Sequence, residues 1–310
     1  MKYAFLFPGQ GAQYPGMGKD LYESSDRVKE LFSVAEKASG MDVKSLLFDA
    51  TEEELKRTDN TQIAITLVNL ASAICLEEHG YKGSICAGFS LGEYAALVYA
   101  GVISQKDVFS IVRKRGELME KASRNMDAKG GKTGMSAILG LAPEKVEEVI
   151  KSLASDKVFV ANYNSPKQVV LSGTEDGLAV AEAACKEAGA KRAVRLKVSG
   201  PFHSPLLEEA RKEFADFIAS YDFSDPDKPV YSNVTGTVIK DGETAKNLAI
   251  EQIVSPVRWI DEESAILAEK PDLCLEVGPG NVLCGLWKAF SSDISCLPAG
   301  KIENIEKISD

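Results

Sequence analysis

Histidine is scarce in this 310-residue chain, which has only His79 and His203. None of its six cysteines (Cys75, Cys86, Cys185, Cys274, Cys284 and Cys296) belongs to a C-x-x-C pair. So few imidazoles and no paired thiols exclude a structural zinc site, and no bound metal or cofactor is expected. Most of the cysteines sit in apolar runs, which reads as reduced, buried thiols and not a disulfide framework. Surplus positive charge is also missing. Against 36 Lys and Arg stand 46 Asp and Glu, a formal charge of −10. That balance argues against nucleic-acid binding, which needs cations to neutralise phosphates. An acidic protein partner would therefore have to dock on a local basic patch.

Long apolar runs are absent as well. The longest charge-free stretch, Asn60 to Leu76, has 17 residues and is interrupted by Gln62, Thr66, Asn69 and Ser72. It falls short of the ~20 apolar residues of a membrane span and reads as a buried helix. The opening run stops at Pro8-Gly9 as a buried strand would, and is too short for the core of a signal peptide. A cytoplasmic, monomeric protein is expected, with no membrane association.

What is present is layered α/β patterning. From Tyr3 to about Ala128, apolar strands alternate with longer helical patterns. Glycine-rich Ala128 to Gly134 then marks a crossing. Beyond it the order is a strand (Met135 to Leu141), a helix with proline in its first turn (Pro143 to Ala154), and two strands (Val158 to Asn162, Gln168 to Ser172). A helix (Glu175 to Ala188) and a last strand (Arg192 to Val198) complete the series. Strand-helix-strand-strand-helix-strand is the ferredoxin-like order. The expected fold class is α/β, a large α/β-hydrolase-like subdomain (1–128 and 198–310) with an inserted smaller ferredoxin-like subdomain (129–197). In the returning part, Glu208 to Ser220 reads as a helix, and Val230 to Ser232 and Leu273 to Val277 as strands. The charged tail after Gly300 is expected to fray.

The most informative segment is Gly88-Phe89-Ser90-Leu91-Gly92, which fits G-x-S-x-G. An apolar run enters it and an alanine-rich helical run leaves it. Serine in such a sharp strand-to-helix turn projects its hydroxyl into a crevice, and the flanking glycines leave room for the tight backbone. The pattern alone also describes a plain turn; its flanks favour a nucleophile. A serine nucleophile needs a base. His79 follows Glu77-Glu78 at a helix end and reads as an exposed terminal residue. His203 lies in Ser199-Gly-Pro-Phe-His-Ser-Pro205, a loop stiffened by two prolines after a strand, and is the better base. Gly131-Lys132-Thr133 looks like a phosphate loop, but Met126 occupies the first glycine position. Gly9-Gln10-Gly11 lacks the third glycine of a dinucleotide fingerprint, where Tyr14 stands.

Six marks in order resemble the malonyl-CoA:acyl-carrier-protein transacylases and the related acyltransferase domains of polyketide synthases, over nearly the whole chain. They are Phe7-Pro-Gly-Gln-Gly-Ala-Gln13, Gly88-Phe-Ser-Leu-Gly-Glu93, Arg113-Lys-Arg-Gly116, Ala161-Asn-Tyr-Asn-Ser-Pro166, Pro201-Phe-His-Ser204 and the stretch Gln252 to Trp259. The resemblance implies that Ser90 is acylated and His203 is its base, oriented by the backbone carbonyl of Gln252. It implies an oxyanion hole from the N–H groups of Gln10 and Leu91, and Arg115 pairing with the malonyl carboxylate. Gln62 and Asn162 would line the cleft, and Phe202 resembles the malonyl-selecting members. Without the resemblance, Arg113-Lys114-Arg115 reads as a solvated helix face. One departure is Phe89, where the family commonly has histidine; it bears on the polarity of the cleft wall.

The implied partners are malonyl-CoA and acyl carrier protein, in fatty-acid or polyketide synthesis. Lys129, Lys132, Lys191, Arg192 and Arg195 are expected to form the docking patch. A hydrolase using the same serine is the alternative, since Ser90 before His203 also suits the hydrolase order. An inactive interaction module is the other reading, and the intact Ser90, His203, Gln252 and Arg115 set speaks against it.

Overall fold

Eight strands carry the architecture of the computed structural model, which describes residues 1–309, with the backbone alone at Lys129, Gly130 and Ser309. They are β1 (Tyr3–Phe7), β2 (Gly83–Gly88), β3 (Thr133–Leu139) and β4 (Val158–Ser165), then β5 (Gln168–Thr174), β6 (Arg192–Arg195), β7 (Leu273–Glu276) and β8 (Cys296–Pro298). The first sheet has the order β2-β1-β7-β8 and all its pairs are parallel. Residues 4–7 of β1 are buried, as a strand covered by helices on both faces requires. The second sheet has the order β4-β5-β3-β6 and is antiparallel. With helices Pro143–Leu153 and Glu175–Glu187 on it, this is the ferredoxin-like unit. The fold class read from the sequence is thus borne out: a large α/β part and a small ferredoxin-like one.

The charge-free stretch forms the helix Thr58–Glu78, buried at every position from Thr61 to Leu76. Against it packs the helix Gln105–Gly130. This second helix runs on through the expected glycine-rich crossing, so the passage into β3 is only Gly131 and Lys132. Gly131, at φ 110°, makes the turn.

Two expectations fail. Val230 to Ser232 is no strand; it makes single bridges, Val230 with Cys86 and Tyr231 with Val238, because the chain turns back at Gly236. The tail after Gly300 does not fray at its start. Ile305 is buried, and the Ile302 N–H donates to Asp20 Oδ2 at 2.8 Å, so tertiary contacts hold the segment despite its charge. All six cysteines are free, and only Cys284 and Cys296 are partly exposed, with their sulfurs 3.2 Å apart. No helix among the described residues is long and apolar enough to cross a membrane.

Candidate active site

Ser90 sits at the junction of β2 and the helix Gly92–Tyr99, with φ 52°. A left-handed serine is held only where its surroundings over-determine it. A methyl group on Gly88 would overlap the Gly92 carbonyl and the Glu93 nitrogen, one on Gly92 the Phe7 carbonyl, and one on Gly9 the Phe89 carbonyl. The turn therefore closes only with glycine at three places, two of them in the motif and one in the loop after β1. Gly92→Ala is expected to destabilise the protein by about 3 kcal/mol, read from urea unfolding, because backbone and not a movable side chain stands in the way.

His203 Nε2 lies 2.7 Å from Ser90 Oγ. Its Nδ1 lies 2.9 Å from the Gln252 carbonyl oxygen. A carbonyl can only accept, so Nδ1 carries the proton and Nε2 is free to take one from serine. The backbone N–H groups of Gln10 and Leu91 have no acceptor among the described residues. The Ser90 N–H, by contrast, is engaged by Asn233 Oδ1 at 2.7 Å.

Arg115 projects from the helix Gln105–Gly130 and is only 1% exposed. Its Nη1 donates to Gln62 Oε1 at 2.9 Å and its Nη2 to Gln252 Oε1 at 3.0 Å. Its guanidinium carbon lies 5.4 Å from the centre of the Tyr94 ring, and its Nε has no hydrogen-bond partner among the described residues. Glu93 acts on this charge only at a distance, and the direct hydrogen bonds are to neutral amides, so the guanidinium keeps donors open to a carboxylate in the cavity.

A cavity of about 190 Å³ joins these groups, lined by Gln10, Gln62, Ser90, Arg115, Asn162, Phe202 and His203. Its far wall is Met135, Asn164, Gln168 and Val170 from the second sheet, so the cleft lies between the two parts of the fold. A wider groove of about 490 Å³ continues outward past Gln10, Phe89, Leu196, Val198 and Val282, with Lys56 and Lys197 at its sides.

The acyl transferase domain family matches residues 4–296. The chain is 41% identical over 307 residues to the malonyl CoA-acyl carrier protein transacylase of Bacillus subtilis, covering 98% of this chain and 95% of that protein. This chain belongs to the acyl transferase domain family. To the same-named protein of Staphylococcus aureus the acyltransferase is 37% identical, covering 98% and 97%. A solved acyl carrier protein S-malonyltransferase from Vibrio cholerae superposes with a TM-score of 0.94 at 36% identity, covering 99% of this chain and all of that one. A malonyl-transacylase solved in complex with a type II PKS acyl-carrier protein does so with 0.93 at 35%, covering 99% and 98%.

All nine site residues anticipated for the acyltransferase meet at one place. Seven line the cavity, Gln252 stands behind His203 and Arg115, and Leu91 offers its backbone under a buried side chain. Arg115 is buried and not the solvated face its neighbours suggest; Arg113, two residues earlier, pairs with Glu117 on the surface side. His79 is exposed, its Nδ1 on the Cys75 carbonyl at 2.8 Å. Phe89 stands edge-on to buried Trp259, ring centres 5.4 Å apart, so the departure from histidine makes an apolar packed wall.

Sequence reasoning missed the layer beneath. Asn233 is fully buried; besides the Ser90 N–H, its Nδ2 reaches the Gly88 carbonyl and Glu262 Oε1, each at 2.7 Å. Glu93 Oε2 accepts from the Asn233 N–H at 2.8 Å and from Gln252 Nε2 at 2.9 Å. Glu93 was visible only as the last letter of a motif, and Asn233 carried no signal at all.

Burial, reinforced by the Arg115 charge, lowers the His203 pKa to about 4, so the imidazole is neutral and ready as a base at pH 7. Because the unfolded histidine titrates near 6.5, the unfolded chain binds more protons between these values, and stability is lost as pH falls through them. The unfolding free energy of wild type minus that of His203→Gln is expected to rise by about 1.4 kcal/mol per pH unit across that window and to be flat above it. Urea titrations at a series of pH values check this; a level difference would contradict it. Burial acts oppositely on Glu93, raising it to about 7 against the hydrogen bonds from Asn233 and Gln252 and the Arg115 charge.

Proposed function

We propose that this acyltransferase moves a malonyl group from malonyl-CoA to the phosphopantetheine thiol of an acyl carrier protein through a malonyl ester on Ser90. The observation that carries the reading is Arg115, buried in the same cavity as Ser90 with amide partners only and a guanidinium to spare for a carboxylate. The names of its relatives support the same substrates.

In the first half, Ser90 Oγ attacks the thioester carbon while its proton passes to His203 Nε2. The new oxyanion accepts from the Gln10 and Leu91 N–H groups. The C–S bond then breaks, and the proton on His203 leaves with the CoA sulfur. In the second half the carrier thiol attacks the ester, and His203 takes the thiol proton and returns it to Ser90 Oγ. Arg115 selects the carboxylated acyl chain and holds it against the apolar wall of Phe202, Met119 and Val170, which keeps water from the ester. No cofactor enters these steps. The hydrolase alternative finds no support in the relatives compared above, which are named transacylases or malonyltransferases.

The reading divides the chain into a catalytic unit, 1–128 with 198–310, and an inserted unit, 129–197, in a monomer. For the carrier, Lys132, Lys191 and Arg192 are exposed and carry no ion pair among the described residues. Arg195 is tied to Glu175 and Glu182 and offers less, because its charge is already met; the side chain of Lys129 lies outside the described residues. Reversing the charges of Lys191 and Arg192 is expected to raise the carrier's KM about tenfold while acylation by malonyl-CoA is unchanged. Unchanged carrier kinetics would remove these two from the docking surface. The reading itself is tested by intact mass after brief exposure to malonyl-CoA. A persisting malonyl adduct that a holo carrier protein discharges supports transfer; CoA release with no adduct would mean hydrolysis.

A further inference from the structure

The nucleophile turn rests on two buried carboxyl groups that the reaction as described does not use. Asn233 and Gln252 grip both backbone polar groups of Ser90: Asn233 Oδ1 takes its N–H at 2.7 Å, and Gln252 Nε2 donates to its carbonyl at 3.0 Å. Both side-chain amides are in turn oriented by carboxyl groups. Glu93 receives the Asn233 backbone N–H and Gln252 Nε2, and Glu262 receives Asn233 Nδ2. Each carboxyl keeps one buried oxygen without a hydrogen-bond partner among the described residues, Glu93 Oε1 and Glu262 Oε2.

Two such anions side by side would need two cations, and Arg115 is the cation whose field reaches Glu93. The surroundings of the two groups differ. Both stand in the first turn of a helix, where negative charge is favoured, but Glu93 accepts two N–H donors at one oxygen and lies in the field of Arg115. Glu262 accepts one donor and faces the acids Glu93, Glu263 and Asp261. An unpartnered oxygen costs far less on a neutral acid than on an anion.

We propose that Asn233, Glu93 and Glu262 are positioning residues for Ser90, with one negative charge between the two carboxyls, borne by Glu93, and one proton, borne by Glu262. The charge on Glu93 orients the Gln252 amide, so that its oxygen faces Arg115 and its nitrogen faces the Ser90 carbonyl. Asn233 then draws the Ser90 N–H away from the cleft, which leaves Leu91 and Gln10 to supply the oxyanion donors. Burial and the neighbouring Glu93 hold Glu262 well above the usual carboxylate range, in keeping with this assignment.

The inference rests on the proposed acyl transfer, and its test separates the two. Ser90 acylation by malonyl-CoA is followed by rapid-quench intact mass in wild type, Glu93→Ala, Glu93→Gln, Glu262→Ala and Glu262→Gln. Glutamine imitates a neutral acid and not an anion. Glu262→Ala is therefore expected to slow acylation ~10–100-fold and Glu262→Gln to restore it to within about threefold, whereas both Glu93 variants stay slow. If an alanine variant does not fold, the two near-isosteric glutamine variants decide alone. Equal rates in Glu93→Gln and Glu262→Gln, fast or slow, would overturn the assignment. A wild type that is not acylated would instead overturn the functional reading.

Discussion

Ser90→Ala is expected to lower malonyl transfer by about 10⁴-fold or more while leaving the protein folded. Neither a thiol nor a second hydroxyl can replace it. Cys86, the cysteine nearest in sequence, is fully buried and its sulfur faces the carbonyls of Ala96 and Pro229. The oxyanion donors and Arg115 remain, but without a nucleophile they bind malonyl-CoA and do nothing further. Stability should change little, since alanine at φ 52° carries the same strain as serine and only the contact to His203 is lost. Ser90→Gly should be inactive yet more stable by ~1–2 kcal/mol, because glycine adopts this backbone without strain. Initial rates with a carrier protein, together with urea unfolding, give both quantities. Residual transfer in Ser90→Ala within tenfold of wild type would remove the serine from the mechanism.

Arg115→Ala carries the second large effect, on selectivity. For malonyl-CoA, kcat/KM is expected to fall about 10³-fold, the ~4 kcal/mol typical of a buried charge pair deprived of one partner. For acetyl-CoA it should fall far less, since acetyl makes no pair with the guanidinium and loses only what the misplaced Gln252 costs. The substitution also frees Gln62 Oε1 and Gln252 Oε1, so part of the malonyl loss comes through misplacement of Gln252 behind His203. Arg115→Lys keeps a charge but not the planar fork that serves Gln62, Gln252 and a carboxylate together, and should recover only a minor share. Rates with the two thioesters decide the matter; a parallel fall in both would show a structural arginine and no clamp.

The contrast between Arg115 and Asn233 shows where sequence reading stops. Arg115 has a neighbourhood in the chain, Arg113 to Gly116, that marks it through resemblance, although its helix pattern alone reads as solvated. Asn233 has no such neighbourhood. Its functional partners, Ser90 and Gly88, lie more than 140 residues earlier in the chain, and Glu262 lies on another helix. Nothing local distinguishes an asparagine that holds a nucleophile from one that turns a loop. The cleft's far wall is hidden for the same reason: Met135, Gln168 and Val170 are ordinary strand residues until the second sheet is laid over the first.

What the sequence determined by itself is what local chemistry dictates. Strand and helix periods, the ferredoxin-like order of the insert, the glycines of the Ser90 turn and the scarcity of histidine that singled out His203 are all short-range or compositional facts. Tertiary structure alone decided which groups lose their water. Burial of Arg115 against neutral amides makes it an anion site, burial of His203 keeps it neutral at pH 7, and burial of Glu93 beside Glu262 leaves the pair room for a single charge. Desolvation depends on everything packed around a group, and the segments that do the packing here come from distant parts of the chain.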